Sequence, residues 1–201
     1  MKKVLFFAVA AFGFISANAQ DNTIEGFSKG DIVGALSFSI NSEKSANEMS
    51  KYNFSEIAPS VSYFVTDKIS VGLNLGTSKV KYDFDGAASE QSVFSYGLSS
   101  RYYFNPQGRF SSSVGVNLAL TSGKGGINID GNFDKNLKSN GNQVNLSYGL
   151  NYFVSKNFAL LMNVSAIEFK SEKVDGFDKR NTTSEINLNM SAISLGLVYR
   201  I

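Results

Sequence analysis

Asp130-Gly131-Asn132-Phe133-Asp134 sets three oxygen-bearing side chains at alternate positions. That is how a calcium-binding loop opens, with alternate residues converging on one cation. The rest of such a loop is missing. Lys135 stands where a glycine must make the sharp turn, and Gly141 where a glutamate should close the shell. The segment therefore reads as a solvated, turn-rich loop that holds no metal. Asn181-Thr182-Thr183 fits the N-glycosylation pattern and is read as a chance match. Acid–base catalysis near neutral pH falls most often to histidine, and the chain has none. No carboxylate cluster or Ser–Lys pair gathers at one level either. The sequence thus predicts no catalytic residue, no metal and no cofactor.

The remaining chemistry lies in aromatics and a few charges. Tyr63-Phe64-Val65, Tyr102-Tyr103-Phe104 and Tyr152-Phe153-Val154 repeat one motif, each closing an apolar run just before a tight turn. In an extended chain, successive side chains point to opposite faces. Tyr63, Tyr102 and Tyr152 then share one face, joined by Phe110, Phe158 and Tyr199. Phe64, Tyr103 and Phe153 share the other, along with Arg101, Arg200 and Asp31. The second set suggests a constriction or an aromatic shelf for a ligand, or plain packing of a narrow interior, which is the favoured reading. Asp31 on the first run and Arg200 on the last would form an ion pair if those runs are neighbours. Arg101 has no evident partner.

What must position these residues is a set of strands. From Asp31 onward the dominant signal has period two, in eight runs. Ile69, Val71, Leu73 and Leu75 alternate with Ser70, Gly72, Asn74 and Gly76. Phe110, Val114, Val116, Leu118 and Leu120 alternate with Ser111, Ser113, Gly115, Asn117 and Ala119. The seventh run is less clean, because Leu161 falls among the small residues. Before the last run, Ile186, Leu188 and Met190 are out of phase, which predicts a β-bulge near Ser191. Three connections are tight: 66–68, 105–109 and 155–157. Four are longer and polar and are read as loops: 42–51, 85–91, 122–142 and 170–183.

Alternation alone does not say which face is inside. A soluble barrel would put the apolar face inward and wet the other, which should then carry many charges. Here the second face is serine, glycine, asparagine and alanine, with Arg101 and Arg200 nearly its only charges. Small residues suit the narrow interior of an eight-stranded barrel. The apolar face therefore points outward, into lipid.

The opening residues fit this. Lys2 and Lys3, the apolar run from Val4 to Ile15, and Ala17-Asn18-Ala19 read as an export signal over residues 1–19, cleaved to leave Gln20. The apolar run falls short of the roughly 20 residues of a membrane-spanning helix. Of 19 basic and 17 acidic residues, the two lysines leave with the signal, so the mature chain carries 17 of each. A neutral chain gives no case for binding nucleic acid. Residues 20–30 read as a short periplasmic segment, and 31–201 as the barrel.

Taken together, the signal, the eight alternating runs and Ser194-Leu195-Gly196-Leu197-Val198-Tyr199-Arg200-Ile201 resemble the outer-membrane β-barrel domain (porin-like) family, in particular small barrels of the OmpX and OmpA-barrel kind. The resemblance covers about Asp31 to Ile201. It implies an all-β, eight-stranded, antiparallel up-and-down transmembrane barrel in a Gram-negative-type outer membrane, with short turns periplasmic and long loops outside. The outward aromatics become a periplasmic girdle at the membrane interface. Outer-membrane lipid and lipopolysaccharide are the implied surroundings. The last strand is similar to the signal read by the barrel-assembly machinery, departing from it in ending on Ile201 where phenylalanine is usual. The expected function is an envelope barrel with a side-chain-filled lumen, whose loops contact lipid, another cell or a partner protein. The alternative is a narrow conduit for small or apolar solutes.

Overall fold

The computed structural model describes residues 26–45, 50–84, 87–129, 132–175, 180–186 and 193–201. They form nine β-segments: β1 (Ile32–Lys44), β2 (Ser50–Phe64), β3 (Ile69–Phe84), β4 (Ala87–Tyr103), β5 (Phe110–Ile129), β6 (Asn132–Phe153), β7 (Phe158–Val174), β8 (Asn181–Ile186) and β9 (Ile193–Arg200). All pairings are antiparallel, and each segment pairs with its sequence neighbour from β1 to β7. β8 and β9 both pair with β7 and together make the eighth stave; β9 also pairs with β1, which closes the sheet. Where β1 and β9 pair, from Val33 to Phe38, closure leaves no edge, so the backbone polar groups of that part of the wall are satisfied within it.

The two faces fall as the alternation predicts. Val61, Leu73, Leu98, Leu118 and Val144 stand opposite one another across four consecutive ladders. Each is at least 38% exposed on the outside of the barrel. An apolar band of this kind is stable only against hydrocarbon. The buried apolar residues gather instead at one end of the interior: Phe27, Val33, Phe64, Tyr103, Phe153, Ala159 and Val198. Leu161, the residue that breaks the alternation of β7, packs against this group from inside. A closed sheet of this type resists unfolding by sodium dodecyl sulfate at room temperature. Boiled and unboiled samples should therefore migrate differently, with a β-type circular dichroism spectrum before boiling. Identical migration in both would contradict closure.

One expectation needs correction. The polar stretches read as long loops are largely wall. β5 and β6 run 20 and 22 residues, so they reach beyond their predicted limits and pair almost to their tips. Crossing a bilayer takes only about 9–11 residues of tilted strand. Beyond the lipid both faces of a ladder meet water, so the period-two signal vanishes while the hydrogen bonds continue. The wall also carries an irregularity that the alternation does not show. A register shift lies where Leu146 and Ser147 of β6 pair with Ile167 and Ser165 of β7, skipping Ala166. The bulge predicted near Ser191 falls on 187–192, outside the described residues.

Candidate functional site: the barrel lumen

Below β1, residues 26–30, part of the segment read as periplasmic, turn into the barrel end. Phe27 is wholly buried among the inward aromatics: its ring centroid lies 4.8 Å from Phe64, 5.0 Å from Tyr103 and 4.8 Å from Phe153. Its amide donates to the Pro106 carbonyl of a periplasmic turn at 2.7 Å, and Lys29 N donates to Asp67 Oδ1 of another at 2.9 Å. Arg200 donates from Nη1 to the Gly26 carbonyl and lies 3.7 Å from Asp31 Oδ2. A side chain at Gly26 would collide with the Pro106 carbonyl, so only glycine lets the backbone pass this close. The four rings close the periplasmic end. Phe27 escaped sequence reading because a single phenylalanine in a polar stretch has no period to betray its direction.

The outward aromatics line the same rim. Tyr63, Tyr102, Phe110, Tyr152 and Tyr199 are between 42% and 53% exposed on the lipid face. Phe158 is half-buried, its ring 6.1 Å from Tyr199, and the Arg109 guanidinium carbon lies 6.0 Å over the Tyr152 ring.

Above the aromatic floor the lumen is not filled, contrary to the sequence expectation. A cavity of about 700 Å³ runs up the interior. The cause is the same small-residue face that pointed to a lumen: serine, glycine and alanine leave space that longer side chains would occupy. Arg101 reaches across its lower part. Nη1 donates to Ser113 Oγ and Asn163 Oδ1, each at 3.1 Å, and Nη2 to Ser147 Oγ at 3.4 Å. The partners that sequence reading missed thus come from β5, β6 and β7. Higher up, Asn74 Nδ2 donates to Asn117 Oδ1 at 3.2 Å, and Asn74 Oδ1 accepts from Ser99 Oγ at 3.4 Å. Asn145 donates to Ser165.

Nearer the mouth, Gln91 of β4 donates across the barrel to Glu172 of β7 at 3.2 Å, and Lys170 pairs with the same carboxylate at 3.3 Å. Burial works to raise the Glu172 carboxyl. Hydrogen bonding from Ser139, the Lys170 charge and Gln91 outweigh it, and hold the group below the usual carboxylate range. Of the calcium-loop residues, Asp130 lies outside the described residues, and Asn132 to Asp134 belong to the β6 ladder, paired with Ile129 to Ile127.

The profile of the family described as outer membrane protein beta-barrel domain matches residues 7–200. Among solved structures, neisserial surface protein A is 16% identical, with a TM-score of 0.53, covering 87% of this chain and 99% of that one. The outer membrane protein OprG of Pseudomonas aeruginosa is 14% identical at a TM-score of 0.52, covering 88% and 98%. Ail, the attachment invasion locus protein of Yersinia pestis, is 11% identical at 0.51, covering 86% and 99%. At these identities the likeness is one of fold. No curated protein matches the chain.

Proposed function

This chain belongs to the outer membrane protein β-barrel domain family, and from that premise we propose that it is a barrel sealed on its periplasmic side whose projecting wall makes contacts outside the membrane, first of all with lipopolysaccharide. The observation that carries this is a set of outward lysines above the lipid belt. Lys79 stands ten residues along β3 from Ile69, where a bilayer crossing ends. Lys81 follows on the same face, paired there with Glu90 at 3.2 Å. Lys44 and Lys51 sit directly opposite each other across the β1–β2 ladder, and both are exposed. Like charges so placed repel; Asp83 of β3 stands opposite Lys51 on its other side, and the phosphates of an outer-leaflet lipid would relieve the charge that remains.

A conduit is the weaker reading, since any solute would have to pass the layer of Phe27, Phe64, Tyr103 and Phe153. The barrel is taken as non-catalytic, because the chain offers no histidine as a general base. Export by a cleaved signal at 1–19 and recognition of the last strand by the barrel-assembly machinery belong to the same reading.

The test is partitioning of purified, folded protein between vesicles with and without lipopolysaccharide. Near an anionic surface each lysine contributes about 1 kcal/mol. Lys44→Glu, Lys51→Glu and Lys79→Glu combined should therefore abolish the wild-type preference for lipopolysaccharide vesicles. A wild type indifferent to lipopolysaccharide would reject lipid as the contact and leave a protein partner.

A further inference from the structure

The lumen has a feature that the surface contacts do not use. Arg101 is a permanent cation drawn inside the barrel, and its hydrogen-bond acceptors are all neutral. The ion pairs Lys81–Glu90, Lys170–Glu172 and Arg200–Asp31 leave it out, and among the described residues no carboxylate forms an ion pair with this guanidinium. Taking a cation out of water without a counter-charge is unfavourable, and neutral hydrogen bonds offset only part of the cost.

The wall is nevertheless shaped to hold it there. A side chain at Gly149 would run into Arg101 Nη1, and one at Gly115 would lie 3.1 Å from the guanidinium carbon. The two glycines give the group a flat bed against β5 and β6. Two residues from Gly149, Asn151 lines the same cavity; it is 2% exposed, and its Nδ2 donor has no hydrogen-bond partner among the described residues. The floor therefore holds a charged fork and an unused amide donor, over an aromatic seal that bars the periplasmic side.

We propose that the lumen is an outward-facing cup for a small oxyanion with one negative group, a carboxylate or a phosphate, bound at Arg101. A guanidinium offers paired N–H donors that match either group. Glu56 and Glu168 line the same cavity higher up. Glu56 pairs with Ser78 on β3, while Arg101 pairs with Ser70 on that strand, eight residues lower. Acidic groups above a cationic floor disfavour a polyanion and admit a compact solute with one negative group.

The experiment is titration of the folded, detergent-solubilised full chain with acetate and, separately, with inorganic phosphate, using glycerol as a neutral control and calorimetry as the readout. The wild type should bind at least one of the anions saturably and should not bind glycerol. Which anion binds separates the two sources. Asn163→Asp places a carboxylate of the same shape where Arg101 already donates. It should weaken anion binding roughly tenfold or more while the barrel keeps its heat-modifiable migration. Arg101→Gln should lose binding as well; if that variant does not fold, Asn163→Asp decides alone. Saturable binding that Asn163→Asp leaves unchanged, or no binding of either anion to the wild type, would overturn the proposal.

Discussion

Arginine in place of Leu73 or Leu118 will destabilise the barrel by about 2–4 kcal/mol in a bilayer, because both stand near strand centres on the lipid face. Leu73 is 59% and Leu118 53% exposed there, flanking Leu98 in one outward row. Asn74→Arg and Asn117→Arg, one position along each strand, turn into the lumen, where the two amides meet at 3.2 Å. Those variants lose a hydrogen bond and crowd the cavity, but their cost should not depend on membrane depth. Equilibrium folding into liposomes of different thickness separates the two pairs. Depth dependence in the asparagine variants and not in the leucine ones would mean the faces are reversed.

The second large effect belongs to Phe27. The wild type should give no steady conductance of general-porin size in a planar bilayer, since Phe64, Tyr103 and Phe153 each pack within about 5 Å of the Phe27 ring and close its floor. Phe27→Ala removes the ring that the other three share. Emptying a packed aromatic site costs about 3–5 kcal/mol. The loss should fall on the seal and not the wall, because no strand includes residue 27. Small, flickering openings are the expected result, and they should lengthen when Phe64, Tyr103 and Phe153 are also replaced by alanine. Large steady channels from the wild type would show that the floor is not closed.

How far the sequence could lead depended on whether a residue had a period to follow. Leu73, Leu98 and Leu118 could be placed outward and Asn74, Gly97 and Asn117 inward, because lipid on one side and a narrow lumen on the other impose opposite demands at every second residue. The tight turns were legible for the same reason, since the alternation stops there. Above the membrane that contrast disappears, so the upper parts of β5 and β6 read as loop although their ladders persist. Phe27 illustrates a different limit. Its partners lie 37, 76 and 126 positions away, counting from residue 27 to 64, 103 and 153, and nothing local announces them. Parity points Arg101 inward, and it lines the cavity. Its hold on Ser113, Ser147 and Asn163 depended on how the staves face one another across the lumen, which alternation along one strand cannot say.

The grip of Arg200 on Gly26 carries a consequence for the order of assembly. The two residues are 174 positions apart, and the same arginine reaches Asp31 at the foot of β1. Val33 pairs with Arg200 in the ladder that closes the barrel. The contact that ties the stopper to the seam is therefore available only once the final strand is in place. Until then the floor has only part of its walls, and the entropy of bringing such distant positions together has not been offset. A chain that stalls before that step is both unzipped along one side and open at the bottom. Proteolysis timed during refolding should find residues 26–30 protected at the same moment as β9, and not earlier with β1.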